Sequence, residues 1–508
     1  MKPVNATGTT ERARKTSKPS EDLRIAVTFR RPQDRLGPTK LAARLSSASI
    51  QAFRPDPLDV DKALHELIAR GFRLTARGQL TASVRGPRAL FERTFGTKLK
   101  QFNLDKSQNY SAHSFYFPPS GAPWNPDPAI MELIDDAYIQ WPHIYMAGKK
   151  KKPAQPAISA VPPHVTYFHL EMPVDVPRLL NANQVHLAGG TGKDIRIVMI
   201  DSGFFHSHPF FTAHGYSSSV VLAHGAANIQ QDGSGHGTGE STNIFAVAPG
   251  ATFIGIKVDN ENDPQGGASI LEGFQEAMKH NPQIISCSMG YDLCPSDPNT
   301  GQRTSNVPLS KLPNNLVALE AEIQAAVASG VVVVFSAGNG HVSFPGMMPE
   351  VISAGGVFVD QNGDMRASDY ASAFTSRIYS GRNVPDFCGL VGLQPHADYI
   401  MLPIPPGCEI DKENSPHDQT TAKDAWGVFS GTSAAAPQLA GVCALLKEKN
   451  PGASPADIKN TLRRTCQDVT EGSSNSASNE GMALSAGAGV DSATGTGLVD
   501  AFAAWQQI

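Results

Sequence analysis

The chain has 508 residues, 40% of them hydrophobic and 18% charged, with a formal net charge of −4 and a pI near 6.4. That length holds enough apolar material for two domains, and the mild acidity offers a polyanion no footprint, so no nucleic-acid partner is expected. The six cysteines (Cys287, Cys294, Cys388, Cys408, Cys443 and Cys466) form no Cys-x-x-Cys or Cys/His cluster, so neither zinc nor a disulfide framework is indicated.

Residues 1–21 read as a disordered N-terminus. They lack the apolar core of a signal peptide, and no later run is long enough to span a bilayer. The expected location is cytoplasmic, with secretion by a non-standard route as the alternative and no membrane partner.

Residues 22–145 carry the pattern of a small α+β domain. Arg24 to Phe29 reads as a strand, and Val60, Leu64, Leu67 and Ile68 share one helix face. Phe72, Leu74 and Ala76, then Leu80, Ala82 and Val84, alternate as two strands of a hairpin about Arg77, Gly78 and Gln79. A second helix is expected from Pro87, placed at the first helical position, through Leu90, Phe91 and Phe95. The order is βαββαβ, a ferredoxin-like arrangement. Residues 146–165, with four lysines from Lys149 to Lys152 among prolines and alanines, show no periodicity and read as an exposed, easily cut linker. The alternative is an uncut linker to a permanent accessory domain. The lysine run is read as solvated.

From residue 166 to 508 the pattern changes. Ile195 to Ile200, Ala251 to Val258, Ile284 to Ser288 and Val331 to Phe335 are short apolar runs of the kind buried in parallel sheets. Helical patterns alternate with them at Ala268 to His280, Leu316 to Ser329, Ser433 to Lys447 and Pro455 to Thr465. The alternation predicts an α/β fold, a parallel sheet with helices on both faces.

Four motifs in this region supply the groups for peptide-bond hydrolysis: Asp201-Ser-Gly, His236-Gly-Thr, Ser-Ala-Gly-Asn339-Gly and Gly431-Thr-Ser433-Ala-Ala-Ala-Pro437. A serine hydroxyl is a poor nucleophile at neutral pH and needs an imidazole to take its proton, a role for His236 toward Ser433. The imidazole needs a buried carboxylate to fix its tautomer, and Asp201 ends an apolar run suited to placing one. The side-chain amide of Asn339 and the backbone N–H of Ser433 are the expected oxyanion donors. Ser433 is expected to open a helix, with Pro437 in its first turns.

The motifs, their Asp, His, Ser order and their flanks resemble the subtilisin-like serine proteases (subtilases) from about Tyr167 onward. The flanks include His208-Pro209 after the aspartate, Ile285 to Gly290, Phe344-Pro-Gly after the asparagine, and Gly495-Thr-Gly near the end. The resemblance implies a subtilisin-like fold and an Asp201, His236, Ser433 triad. It also implies substrate contacts at Ser288, Met289 and Gly290 and at Ala337 and Gly338. Ala69 to Leu74 and Ala89 to Leu99, with Phe95-Gly-Thr97, resemble the activation prodomain of the sedolisin (kumamolisin-like) proteases. That prodomain usually accompanies a Glu-Asp-Ser unit, whereas here the catalytic motifs include His236 and Asn339.

One departure stands out. The family usually has a histidine and small residues after His-Gly-Thr, and this chain has Gly239 and Glu240. Glu240 reads as an early helix residue favoured by the dipole, or as a carboxylate that raises the proton affinity of His236. Asp259 to Asp263 reads as a solvated loop, with structural calcium as the alternative and no cofactor for the chemistry. The segments 407–424 and 472–481 read as surface insertions. The expected protein is a serine endopeptidase made as a zymogen, acting on protein or peptide and partnered by its own prodomain. The alternative is a catalytically silent peptide-binding scaffold.

Overall fold

The computed structural model describes residues 22–32, 37–41, 45–104, 114–143, 158–263, 266–297 and 302–508. The expected N-terminal disorder, and the linker as far as residue 157, lie outside the described residues.

The N-terminal part is built on strand β1 (Asp22–Phe29), helix α1 (Pro57–Ala69), strands β2 (Arg73–Arg77) and β3 (Thr81–Pro87), helix α2 (Arg88–Thr94) and strand β4 (Ile134–Ile139). The four strands pair antiparallel in the order β2-β3-β1-β4. Asp56 caps α1 by accepting from the Leu58 N–H, with Pro57 in the first turn. Pro87 serves as the cap residue of α2, one position earlier than expected. Leu74 is 38% exposed where Phe72 and Ala76, its partners in the expected alternation, are buried, because the β2–β3 register shifts between Leu74 and Ala76 and turns it outward.

Both faces of β3 are buried. Ala82 and Val84 pack with Ile25, Val27, Leu64 and Phe91 under the helices. Leu80 and Ala26 join a core of the larger domain instead.

The larger domain carries an eight-stranded sheet. Its strands are β5 (Arg196–Asp201), β6 (Ser218–Leu222), β7 (Thr252–Lys257), β8 (Ile284–Cys287), β9 (Val332–Ser336), β10 (Ile352–Val359), β11 (Met365–Ala367) and β12 (Phe387–Leu390). Their order is β11-β10-β9-β8-β5-β7-β6, with β12 also on β10, and every pairing is parallel except β10–β11. The principal helices are α3 (His236–Val247), α4 (Ile270–Met278), α5 (Val317–Ala328), α6 (Thr432–Lys449) and α7 (Pro455–Thr465). One core packs α3, α6 and α7 on one side of the sheet, and a second packs α4 and α5 on the other. This is the α/β architecture read from the sequence. Helix α6 starts at Thr432, one residue ahead of Ser433, and α4 starts at Ile270 behind a Ser269–Glu272 capping box. Among the described residues no helix is long and apolar enough to cross a membrane.

The N-terminal sheet lies on α4 and α5 through polar side chains. Glu322 of α5 accepts from the N–H groups of Gln79, Leu80 and Thr81 at 3.0, 2.9 and 2.9 Å and from the Thr81 hydroxyl at 2.8 Å. Gln275 of α4 bonds Thr81 and Ser83, and Arg85 donates to the Gly266 and Gly267 carbonyls. The polar residues of β3 thus meet fixed partners on the larger domain.

Candidate active site

Parallel strands in one sheet end on one edge, and the helices that follow begin there. Asp201 is the last residue of β5 and His236 the first of α3, and both are buried. The Asp201 Oδ1 lies 2.8 Å from His236 Nδ1 and accepts from the Ser202 N–H at 2.7 Å. Burial works against the imidazolium, but the Asp201 carboxylate outweighs it, with Glu240 and Asp232 adding to its effect, and the proton affinity of His236 is raised.

Ser433 is the second residue of α6, and its N–H is one of the first-turn donors that a helix leaves unpaired. Its Oγ has no hydrogen-bond partner among the described residues, so the His236–Ser433 bond is open in this structure. Such bonds close when substrate binds. His236, Ser433 and Asn339 face one cavity of about 500 Å³, walled also by Tyr370 and Phe429.

Asn339 is oriented by a neighbour that sequence reasoning passed over. Its Oδ1 accepts from both the N–H and the hydroxyl of Thr432, each at 3.0 Å, which leaves Nδ2 for another acceptor. Nδ2 lies 2.8 Å from where a side chain on Gly431 would begin, so only glycine there leaves the amide in place. Thr432 stands inside the Gly-Thr-Ser motif, and its spacing gave no sign of this contact.

The remaining expected contacts are placed as follows. Ser288 to Gly290 follow β8. Met289 is buried, and the Ser288 hydroxyl donates to the Ser433 carbonyl at 2.9 Å. That carbonyl has lost its helical partner because Pro437, four residues on, has no N–H. The Ala337 N–H is spent on Ala354 O, and the Gly338 N–H on the Thr432 hydroxyl. None of these five residues walls the cavity of Asn339 and Ser433.

A family model for the subtilases matches residues 192–497, more than half of the chain. The chain belongs to the subtilase family. It is 26% identical over 302 residues to subtilisin E of Bacillus subtilis (strain 168), covering 56% of this chain and 64% of that protein. It is 27% identical over 309 residues to alkaline elastase YaB of Bacillus sp. (strain YaB), covering 58% of this chain and 66% of the relative. The match thus spans less than two thirds of the subtilisin's length. Among solved structures, a lanthipeptide protease overlies 65% of this chain and 93% of its own, at 20% identity and a TM-score of 0.46.

In this subtilase Glu240 is an early helix residue, the fifth of α3, and a buried one. It lies one turn beyond His236, is 1% exposed and borders the same cavity. Its Oε2 accepts from Asn243 Nδ2 at 3.0 Å, and the Asn243 Oδ1 accepts from Gln438 of α6, also at 3.0 Å. Burial pushes the Glu240 carboxyl up to about 8, against the pull of His236. Gly239 in place of the usual histidine makes room for Phe429, whose ring lies 2.5 Å from where a side chain would start.

The acidic loop after β7 is spent on the protein itself. Glu261 pairs with the buried Lys257, and the Asn260 Oδ1 accepts from the Asn262 and Asp263 N–H groups. Among the described residues no group of three or more His, Cys, Asp or Glu side chains is arranged to hold a metal ion.

Proposed function

We propose that this subtilase is a serine endopeptidase acting through Asp201, His236 and Ser433. The observation that carries the reading is the 2.8 Å bond from His236 to a buried Asp201, on the wall of the cavity that also holds Ser433 and Asn339. Ser433 Oγ attacks the scissile carbonyl while His236 Nε2 takes its proton, and Asp201 holds the Nδ1 proton and steadies the imidazolium. The new oxyanion takes hydrogen bonds from Asn339 Nδ2 and the Ser433 N–H. His236 then protonates the leaving amine, and water repeats the sequence on the acyl-enzyme. Protein or peptide substrate lies extended beside Ser288 to Gly290, through backbone hydrogen bonds.

The same reading makes residues 22–145 a prodomain that templates and restrains the enzyme until the linker at 146–165 is cut. In its favour, the N-terminal sheet is held by buried polar contacts from α4 and α5, not by a thin surface touch. The test is the intact mass of the wild-type chain beside Ser433→Ala. Loss of about the first 145 to 165 residues in the wild type alone supports a self-processing enzyme. A wild type that neither processes itself nor reacts with a fluorophosphonate at Ser433 returns the chain to a silent peptide-binding scaffold.

A further inference from the structure

Asp232 belongs to no helix or strand and does not wall the active-site cavity, yet it is 3% exposed and fully engaged. Its Oδ1 accepts from the Ser202 hydroxyl and the Gly235 N–H, each at 2.9 Å. Its Oδ2 accepts from the Thr238 N–H at 2.9 Å and the Thr238 hydroxyl at 2.7 Å. The donors have a common feature. Ser202 follows Asp201 directly, and Gly235 and Thr238 flank His236. The Ser202 hydroxyl also accepts from the Gly237 N–H at 3.0 Å, while the Thr238 hydroxyl accepts from the Phe205 N–H at 2.9 Å.

We propose that Asp232 is the positioning residue of the Asp201–His236 pair, a buried carboxylate that clamps the end of β5 to the start of α3 without touching either catalytic side chain. The inference rests on the peptidase reading only for its kinetic consequence. The end of β5 and the start of α3 carry the pair. Without Asp232 they would be tied by the 2.8 Å bond they are meant to support and by two single bonds, Gly237 N–H to the Ser202 hydroxyl and Phe205 N–H to the Thr238 hydroxyl, whose two hydroxyls Asp232 itself orients. One acceptor with four donors fixes both at once, and charge-assisted bonds of this kind are the strong ones. The loop that brings Asp232 in is itself held from below, because the buried Lys257 donates to the Gln231 and Asn228 carbonyls. Positioning matters for rate because a displacement of about 1 Å can cost about 100-fold.

The experiment compares wild type, Asp232→Asn and Ser202→Ala by kcat and KM on a peptide anilide. It also follows the far-downfield proton resonance of His236 Nδ1–H, which reports the bond to Asp201 whether or not the enzyme turns over. The asparagine presents an amide donor where Thr238 needs an acceptor. The expected result is a folded protein with kcat down about 10- to 100-fold, KM within about twofold and the resonance shifted or lost. Ser202→Ala cuts one arm of the clamp and gives a smaller change of the same kind. A folded Asp232→Asn with wild-type kcat, or with its resonance unmoved, overturns the proposal. If that variant does not fold, Ser202→Ala decides by the same two readouts. A wild type that hydrolyses nothing defeats the peptidase reading, and the resonance still tests the clamp.

Discussion

Replacing Glu240 by glutamine removes a buried ionisable carboxyl and keeps the acceptor that Asn243 needs. The carboxyl sits at about 8 in the fold against an ordinary 4.5, so the native state binds its proton more tightly than the unfolded chain does. The stability it contributes is complete below about pH 4.5 and is lost as pH rises through about 8. Relative to a permanently neutral glutamine, the native glutamate is then disfavoured by about 1 kcal/mol at pH 5, about 3 kcal/mol at pH 7 and about 4 kcal/mol at pH 8. For a chain of this length melting as a unit, those figures correspond to Tm gains of about 1, 3 and 4 °C. Calorimetry of Ser433→Ala with and without Glu240→Gln, from pH 5 to pH 8, measures the difference without self-digestion. A gain that does not grow with pH refutes the reasoning. A loss at pH 8 would show the carboxylate held as an ion partner of His236 instead.

Three further substitutions test other parts of the molecule. Asn339→Leu removes the one oxyanion donor that is a side chain, and kcat should fall by about 100- to 1,000-fold with little change in KM on a peptide anilide. An unchanged kcat would remove Asn339 from the mechanism. Glu322→Ala strands the three N–H groups and the hydroxyl of the β2–β3 hairpin that it now accepts from. A cost of about 3 kcal/mol raises the undocked population of the N-terminal domain about 100-fold. Limited trypsin digestion of the Ser433→Ala chain should accelerate accordingly. Asp386 is buried between a two-pronged Arg382 at 2.5 and 2.7 Å and Lys459 at 3.0 Å. Asp386→Ala leaves both cations unpaired and should cost about 3 to 5 kcal/mol, seen as a lower midpoint in urea.

What the sequence disclosed, it disclosed through period and local chemistry. β5, β7, β8 and β9 fall within a residue or so of the apolar runs, because a strand buried on both faces must be apolar throughout. β6, Ser218–Leu222, begins with two serines on the sheet edge, and β10 hides behind Gly355 and Gly356, so neither reads as such a run. In the N-terminal domain the period is legible, but its meaning is not. Thr81, Ser83 and Arg85 alternate with Leu80, Ala82 and Val84 as a solvent face would, and the solvent is replaced by Glu322, Gln275 and the Gly266–Gly267 carbonyls. At the site, four motifs named the residues that now border one cavity or support it. Asp232 went unread because it stands three residues ahead of Gly235, the cap residue of α3, outside the helix-start position, and no local pattern says that Ser202 is one of its donors. The fate of Glu240 depends on Gln438, almost two hundred residues away, and no local pattern carries that.

The helix that carries Ser433 is held near its start by its neighbours more than by its own ladder. Pro437 deletes the N–H that would satisfy the Ser433 carbonyl, and Ser288, just past β8, supplies a hydroxyl in its place. The step from Ser433 to the strand expected to line the substrate is therefore a single side-chain bond of 2.9 Å. One residue past the proline, Gln438 reaches Asn243 of α3 at 3.0 Å with its amide nitrogen, and its oxygen accepts from the Leu390 N–H at 2.7 Å. α6 is thus tied to the histidine's helix and to β12 by a single amide. Buried polar chains of this sort stabilise only when every member is satisfied, so they admit one arrangement of the helices and no near neighbour of it. The distance from Ser433 to His236, open in this structure, is bounded by those bonds. Closing it on substrate then calls for a change in side-chain rotamers and leaves the helices where they are.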